Sequence, residues 1–552
     1  LKYFIWQTVI CCNKGKLLLK FCYPISLNEG DLCMFNRFKI FLLAIFITFA
    51  VSAKAFAAEQ PWVNDLRKLF LSNAASIYEL NIRTFNAQDT NKNGIIEFDL
   101  GEESGNFINA IDRLDELQAL GINTIHVQPI TPVGKTKALG TAGSIYAAAS
   151  FNTINPQFKN SNSDLTLEEQ AKKFISEAHK RDIRVIIDLP ACGSYDLYLQ
   201  QPELFVKDKN GQPVVPADWT DVRLLNAGTE DKINHDVYNL YKDFVDMVMN
   251  LGADGIRADV APLKPAKFWK ELIDYSRKKD MQFMWLAETS DSWTTPVSKY
   301  GVYTPYNKLL EAGFDGYYGS WFELKNWRTA NELYNHIKFN RSLLSKYKEP
   351  KAVIGSFSTH DEMSPVLING TKFSEMILWL NATLPLNAYF VDGFQSGDNY
   401  IYFWANKKAP KTYTDDDYYF VHRGKIDIFN FSRRPGGSDD ELSNDFMRAV
   451  KFKRLIAPVI QNGKFTILKT TSPEVFAYAL SYDNKTVLVF GNLNFSNINE
   501  CSIRVPKYSD SYMTIPIRST KKVPRFKDNK FEVKFEAGEI MVLLVEGFNL
   551  GK

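Results

Sequence analysis

Three acidic residues, each at the end of a short apolar run, are the side chains best placed to do chemistry in this sequence. They are Asp259 in GIRADVA, Glu288 in FMWLAET and Asp361 in AVIGSFSTHDE. A carboxylate just past a buried parallel strand lies where a β/α barrel keeps its active site, because the C-terminal ends of the strands open onto one face. Three such groups can supply a nucleophile, a proton donor and a charge stabiliser, which is the equipment for cutting a glycosidic bond.

The elements that must position these acids are strand-like and helix-like segments that alternate from about residue 75 onward. This alternation predicts an α/β fold, a (β/α)8 TIM barrel, and we assign the barrel to residues 58–457. The predicted strands are 76–82, 123–130, 184–190, 253–260, 281–288, 314–319, 352–358 and 386–392, and the predicted helices include 107–121, 167–182, 235–252 and 265–279.

Two segments depart from this alternation. Residues from about 190 to 234 show no helical pattern and are rich in Gly, Pro and Asp turn signals, which predicts a short loop-rich insertion after the third strand. Residues 458–552 change to short strands separated by turns, with no helix between them. This pattern is typical of a C-terminal antiparallel β-sandwich domain.

The N-terminal region resembles a targeting segment. Met34 is followed by two basic residues, an apolar run and a small-x-small sequence that ends at Ala57. We interpret 34–57 as a secretory signal peptide, and the alternative is a retained N-terminal anchor. Residues 1–33 are interpreted as an upstream, misassigned start. The expected location is secreted or periplasmic, with no stable membrane span after cleavage.

Removing residues 1–57 changes the charge balance. That segment holds seven basic and two acidic side chains, so the rest of the chain carries 59 basic and 61 acidic residues. No basic surplus remains, and we expect no nucleic-acid partner. Only Cys192 and Cys501 remain of the six cysteines, so we expect a large core rather than a disulfide framework to stabilise the fold.

Taken in order, the three acidic motifs resemble those of the α-amylase family of retaining α-glycoside hydrolases. The family sequence Gly-Phe-Arg-x-Asp corresponds to residues 255–259, the apolar strand ending in Glu to residues 285–288, and Asn-His-Asp to residues 359–361. The resemblance implies that Asp259 is the nucleophile, Glu288 the general acid and base, and Asp361 the residue that stabilises the cationic sugar ring.

Four further residues are expected to bind substrate or support the acids. Arg257 lies two positions before Asp259, on the same face of its strand, and can keep that carboxylate ionised. His360 can hydrogen-bond a sugar hydroxyl. The resemblance also implies that Asp188 supports the arginine and the sugar site, and that Tyr146 stacks on the sugar at the cleavage point, with core packing as the alternative for this tyrosine.

The sequence departs from the family pattern at three places. The Asn-His pair expected after the third strand is replaced by Cys192-Gly193, and the Lys-His pair after the nucleophile by Pro262-Leu263. Leu224 stands where the family has an Asp before Leu-Asn. Because the three carboxylates are present, we expect catalysis to survive and substrate preference to differ.

A separate motif near the start predicts a calcium site. The run DTNKNGIIE places oxygen donors at alternate positions, and Gly94 permits the tight bend that a hard cation needs. The alternative is an ordinary polar turn. The expected ligands are Asp89, Asn91, Asn93, the Ile95 carbonyl and Glu97.

These features together predict an exported enzyme that hydrolyses α-glucans or maltooligosaccharides by double displacement. The same carboxylates would serve an α-glucan transglycosylase, which passes the glycosyl group to another sugar instead of water. A relative that binds carbohydrate with weak or no catalysis is the alternative from another class.

Overall fold

The computed structural model describes residues 3–13, 16–27, 62–88, 90, 98–138, 143–216, 219–292, 303–397, 440–519 and 523–551. The chain divides into two units, Leu1–Val63 and Asn64–Lys552. In the first unit, strands Tyr3–Asn13 and Lys16–Leu27 pair antiparallel. The predicted signal peptide at 34–57 lies outside the described residues.

The second unit contains a barrel of eight parallel strands, each of them buried along its length. Sequential strands are neighbours, and the eighth strand also pairs with the first. A bridge between Ile354 and Asn387 joins the seventh strand to the eighth and closes the ring. In chain order the strands are Ser76–Leu80, Thr124–Val127, Arg184–Leu189, Gly255–Ala258, Met284–Ala287, Gly316–Tyr317, Ala352–Val353 and Ala388–Val391.

Helices surround these strands, and their ends follow from local sequence. The helix Leu167–Lys180 begins with a capping box between Thr166 and Glu169, and His235–Leu251 ends at Gly252, whose φ is 98°. The others are Leu66–Leu71, Ile82–Phe85, Phe107–Ala110, Leu114–Leu120, Ala266–Lys279, Tyr306–Ala312, Ala330–Leu344, Pro365–Thr383, Asp440–Leu455 and Ala457–Asn462. Short 3-10 turns occupy Phe98–Leu100, Ile111–Arg113, Pro156–Phe158, Ala261–Leu263, Trp321–Asn326 and Phe394–Ser396.

The barrel interior is apolar at one end and charged at the other. Ile77, Ile186 and Met284 belong to a buried cluster at the N-terminal ends of the strands, together with Leu66 and Phe70 from the first helix. Because side chains alternate along a strand, the inward-facing position two residues later falls at the C-terminal end. On the first and third strands these later positions carry Glu79 and Asp188, whereas the fifth strand carries the apolar Leu286 and places Glu288 just after its end.

The insertion after the third strand was predicted to lack a helix, and this was wrong. It contains the helix Tyr195–Gln200 and a 3-10 turn at Pro202–Leu204. Ser194 caps the helix by accepting a hydrogen bond from the Leu197 N–H, a signal that the turn-rich surroundings concealed. Strands Cys192–Ser194 and Val222–Arg223 join Ala147–Ala148 in a three-stranded sheet.

The C-terminal domain is the predicted antiparallel sandwich. The helix Ala457–Asn462 precedes its first strand, so the strands begin later than residue 458. One sheet contains Lys464–Ile467, Val475–Tyr482, Lys485–Asn492, Ile540–Glu546 and Met513–Arg518, and the other contains Lys469–Thr470, Asn499–Arg504, Lys530–Phe535 and Arg525–Lys527. An apolar core lies between the two sheets.

Candidate active site

The three predicted catalytic carboxylates line one cavity of about 250 Å³. Asp259 follows the fourth barrel strand, Glu288 follows the fifth, and Asp361 lies eight residues beyond the seventh. All three therefore sit at the C-terminal ends of barrel strands, which is the face where this architecture places its chemistry.

A single guanidinium links the acids. Arg257 Nη1 lies 2.9 Å from Asp259 Oδ1 and 2.9 Å from Asp188 Oδ1, while Nη2 lies 2.8 Å from Glu288 Oε1. The arginine is fully buried, and such a charge is tolerated only where opposite charges compensate it. Arg257 thus contacts Asp259, and the same cation also reaches Glu288.

Backbone N–H groups fix the remaining oxygens of the pair. Ala191 N donates to Asp259 Oδ2 at 2.9 Å, and Val260 N donates to Glu288 Oε2 at 2.6 Å. Val260 has a φ of 33°, a left-handed conformation that is strained for a β-branched residue. This strained residue directly follows the candidate nucleophile, so the local backbone conformation is tied to the orientation of both carboxylates.

Burial raises the pKa of both acids, and that of Glu288 is raised further. Burial raises the pKa of Glu288 well above its usual range, and the charges of Asp259 and Asp361 add to this against the effect of Arg257. Burial also raises the pKa of Asp259, but Arg257 and the Ala191 N–H favour its charged form. The shared proton therefore belongs on Glu288, which leaves a neutral acid beside an ionised carboxylate.

His360 is paired with a residue that the sequence analysis did not identify. Its Nδ1 lies 2.5 Å from Glu79 Oε1, and its Nε2 lies 3.5 Å from Asp361 Oδ1. Burial would lower the pKa of His360, but Asp361 and Glu79 outweigh it and raise that pKa to about 10. The ring is therefore a cation at neutral pH. Its Nδ1 is occupied by Glu79, so a sugar hydroxyl would have to approach Nε2.

Tyr146 and Asp188 form a second layer behind the acids. The Tyr146 hydroxyl donates to Asp188 Oδ2 at 2.8 Å. The tyrosine ring stacks on His360, with centroids 5.4 Å apart and 10° between the ring planes. Burial would raise the pKa of Asp188, but Arg257 and His126 hold it below its usual range. Tyr146 also borders the cavity, which is compatible with the predicted sugar contact.

Sequence reasoning missed Glu79 and His126 on the first two strands. His126 Nε2 lies 3.2 Å from Asp188 Oδ2, and its Nδ1 lies 3.0 Å from the Tyr389 hydroxyl. Glu79 and His126 are fully buried. The available signal was an ionisable residue at the inward position of an otherwise apolar strand, in SIYEL and TIHV.

The three departures from the family motifs meet in space. Cys192, Leu224 and Leu263 pack in one buried apolar cluster that also contains Val260, and Trp219 packs against it. We call this cluster the apolar wall. The three departures, which are far apart in sequence, therefore form one apolar region next to Asp259.

Gly193, where the family has a histidine, has no room for a side chain. A Cβ at this position would lie 2.8 Å from Phe205 Cζ and 3.0 Å from Leu197 Cδ2. The insertion fills the space that a histidine would need, so the departure is part of the fold.

The predicted calcium ligands Asp89, Asn91, Asn93, Ile95 and Glu97 lie outside the described residues. Within the part of the chain that is described, no group of three or more His, Cys, Asp or Glu side chains could hold a metal ion. In the same part, none of the helices is long and apolar enough to cross a membrane.

Comparison with known proteins agrees with this fold and these motifs. The family model "Alpha amylase, catalytic domain" matches residues 82–193. An α-1,4-glucan:maltose-1-phosphate maltosyltransferase of Picrophilus torridus is 23% identical over 420 residues, covering 73% of this chain and 61% of that protein. The α-amylase MalA of Haloarcula japonica is 25% identical over 225 residues, 39% of this chain and 29% of that protein. The chain thus spans about three fifths of the first relative.

Solved structures show the same architecture at low sequence identity. An Anoxybacillus α-amylase superposes with a TM-score of 0.64 at 17% identity, covering 87% of this chain and 99% of that one. The noncanonic maltogenic α-amylase AmyB of Thermotoga neapolitana gives 0.62 at 19% identity, covering 87% and 100%. The catalytic-domain match over residues 82–193 and the three acidic motifs in order make the chain similar to the α-amylase family, and the solved structures share its fold.

Proposed function

We propose that this chain is an exported, retaining α-glycoside hydrolase that acts on α-glucans or maltooligosaccharides. The observation that carries the proposal is the placement of Asp259, Glu288 and Asp361 around one cavity, with Arg257 in contact with the first two. Double displacement at a sugar carbon requires a nucleophilic carboxylate and a carboxylic acid that gives a proton, and Asp259 and Glu288 can supply these two groups.

In the first step Asp259 attacks the anomeric carbon and forms a glycosyl ester. Its Oδ1 and Oδ2 are held by Arg257 and by the Ala191 N–H, which favours the charged, nucleophilic form. Glu288 gives its proton to the leaving oxygen at the same time. Because the leaving group departs with that proton, Glu288 becomes a carboxylate.

In the second step the ionised Glu288 takes a proton from water, which attacks the ester and releases the sugar. Asp361 stabilises the positive charge that develops on the ring in both steps. Its Oδ1 makes no hydrogen bond to the described residues and lies 3.5 Å from His360 Nε2.

A transglycosylase is the second candidate, since several relatives are named maltosyltransferases. Those names specify maltose-1-phosphate, an anionic sugar. Here four carboxylates line the cavity, including Asp221 from the insertion. Asp221 adds to the negative charges of Asp259 and Asp361, and their repulsion of a phosphate favours a neutral glucan over a sugar phosphate as the donor.

The test is a product analysis with soluble starch and with maltooligosaccharides, with and without an added acceptor sugar. We expect shorter oligosaccharides that first appear as the α-anomer, and no product from Asp259→Asn. Longer products that depend on the acceptor would indicate transfer. Measurable affinity without turnover would overturn the proposal in favour of a binding protein.

We also propose that the 89–97 loop binds calcium and that the chain is exported. The support is the alternate spacing of oxygen donors in DTNKNGIIE and the leader-like segment 34–57. For export, N-terminal sequencing of the protein recovered outside the cytoplasm should give a start near residue 58. A mature chain that begins before Met34 would contradict this.

The calcium proposal is tested by stability. A ligand that binds only the folded state raises Tm as its concentration exceeds Kd. We expect millimolar calcium to raise Tm, a chelator to lower it, and Asp89→Ala to abolish both responses. An unchanged Tm in the parent protein would contradict the site, and Asp231→Ala serves as the control for removal of a carboxylate elsewhere.

A further inference from the structure

The cavity has two walls of different chemistry. The barrel side presents the carboxylates and His360, whereas the insertion side presents Cys192, Trp219, Asp221 and Val222. The insertion side belongs mostly to the apolar wall defined above. A sugar held between the two walls would meet charges on one face and largely apolar groups on the other.

Asp221 is the exception on the apolar wall. The residue is 2% exposed, and its Oδ2 makes no hydrogen bond within the described structure. The backbone N–H groups of Ser144 and of Asp221 itself serve the carboxylate, yet burial raises its pKa to about 6. A buried carboxylate oxygen without a donor is costly, unless a ligand supplies the donor.

The neighbouring cation does not satisfy this carboxylate. Arg223 Nη1 donates to the carbonyls of Thr220 and Val222 at 3.0 and 2.7 Å, and its guanidinium lies over the Tyr195 ring. It acts on Asp221 through its charge alone. Asp221 Oδ2 therefore keeps no hydrogen-bond donor within the described structure, and Asp221 lines the cavity.

Asp221 faces the same region as the nucleophile. Burial raises the pKa of the Cys192 thiol to about 12, and Asp259 and Asp221 both add to this against Lys264. The thiol thus lies within electrostatic range of both carboxylates. A sugar ring that occupies the cavity beside Asp259 would reach the wall that carries Asp221.

We infer that Asp221 accepts a hydrogen bond from one hydroxyl of the bound sugar and that, with the ring of Trp219, it determines which neutral sugar the site takes. This inference rests on the proposed function and identifies a side chain that determines substrate specificity. The aromatic ring supplies apolar contact with a sugar face. The carboxylate accepts a hydrogen bond only from a hydroxyl in the right position and orientation, and so distinguishes one sugar from another.

The experiment is a thermodynamic cycle that combines a change in the enzyme with a change in the substrate. It uses 4-nitrophenyl α-maltotrioside and a series of analogues that each lack one hydroxyl, with the parent protein and Asp221→Ala. In the parent, loss of the recognised hydroxyl should lower kcat/KM about tenfold or more, because a hydrogen bond to a charged group is lost. In Asp221→Ala, kcat/KM for the same analogue should be less than about twofold below that for the full substrate, since the hydrogen-bond partner is already absent.

Asp221→Asn keeps the shape of the side chain and one acceptor oxygen. It therefore provides a folded variant even if Asp221→Ala does not fold, and it should retain part of the kcat/KM difference between the full substrate and the analogue. Asp231→Ala removes an exposed carboxylate from the same insertion and should behave as the parent. Equal penalties in the parent and in both Asp221 variants for every analogue would overturn the inference.

Affinity separates this inference from the proposed function. Calorimetric titration with maltotriose should show about tenfold weaker binding to Asp221→Ala than to the parent. Binding that depends on Asp221 without turnover would refute the hydrolase proposal and leave the role of Asp221 standing. Absence of sugar binding by the parent would overturn both.

Discussion

At the scale of single residues, one buried cation organises most of the chemistry. Arg257 contacts Asp188, Asp259 and Glu288, and its Nε donates to the Tyr318 hydroxyl at 3.0 Å. Because its charge is shared, small differences in burial and in backbone donors decide which acid keeps a proton. The pH dependence of the reaction should report that division.

Glu288→Gln should remove the proton donor. We expect kcat/KM on maltooligosaccharides to fall about 10²- to 10⁴-fold. Maltosyl fluoride has a leaving group that needs no proton, so its kcat/KM should fall less than about tenfold. Steady-state rates across pH provide the second readout: the parent should lose activity as pH rises through the raised pKa of Glu288, and the variant should lack that limb. A similar loss with both substrates would mean that the donor is misassigned.

Glu79→Gln should change the charge state of His360. The pKa of this histidine is raised to about 10, above its unfolded value of about 6.5. The pair therefore adds stability that is fully present below about pH 6.5 and is lost as pH rises toward 10. In the variant, the titration of His360 followed by NMR should move toward the ordinary value. An unchanged titration would show that Glu79 is not the controlling partner.

At the scale of elements, the period-two pattern of the strands explains both what the sequence predicted and what it missed. The eight barrel strands and the sandwich were predictable from apolar runs, and Asp259, Glu288 and Asp361 were identified because each follows such a run. The roles of Asp188 and Tyr146 were expected only from the resemblance to a family. Glu79 and His126 were not identified, because the sequence pattern does not show whether a single ionisable residue inside an apolar strand belongs to a functional site. Asp221 and Trp219 escaped because the insertion has no periodicity, and its packing depends on contacts across the chain.

Gly193 tests whether the insertion excludes the family histidine. Gly193→Ala should destabilise the protein by about 1–3 kcal/mol, since its Cβ would overlap the Phe205 ring. Thermal unfolding provides the measurement. Phe205→Leu should reduce the additional cost of the alanine when the two are combined, and Gly193→His should lower stability further without raising activity. A histidine variant as stable as the parent would contradict this packing argument.

At the scale of the whole second unit, the barrel and the C-terminal domain share a buried ionic cluster. Arg518 from the C-terminal sheet lies 2.7 Å from Glu375 Oε2, and its Nε donates to Asp445 Oδ2 at 3.0 Å. Trp379 Nε1 donates to the same oxygen at 2.8 Å. Since Glu375 and Asp445 belong to helices of the barrel layer, the two domains should unfold together.

Arg518→Met should destabilise the protein by about 1.5–3 kcal/mol, because it removes charged hydrogen bonds from Glu375 and Asp445. Among the described residues, these two carboxylates keep Lys372 at 2.8 Å and Arg448 at 3.5 Å, respectively, as cations. Lys534→Met removes an exposed partner of Glu500 in the same domain and should leave the unfolding midpoint nearly unchanged, because exposed ion pairs contribute little to stability. Denaturant unfolding followed by fluorescence would compare the two. Equal costs, or two separate transitions in the parent, would show that the cluster does not couple the domains.

The bridge between Ile354 and Asn387 has a consequence for when the enzyme becomes competent during synthesis. Glu79 comes from the first strand and His360 from the segment after the seventh. Their ion pair therefore joins two parts of the chain that are synthesised far apart in time. A nascent chain synthesised only as far as Glu288, just past the fifth strand, would already contain both Asp259 and Glu288. Such a nascent polypeptide would nonetheless be inert, since the reaction centre comes into being only when the ring shuts.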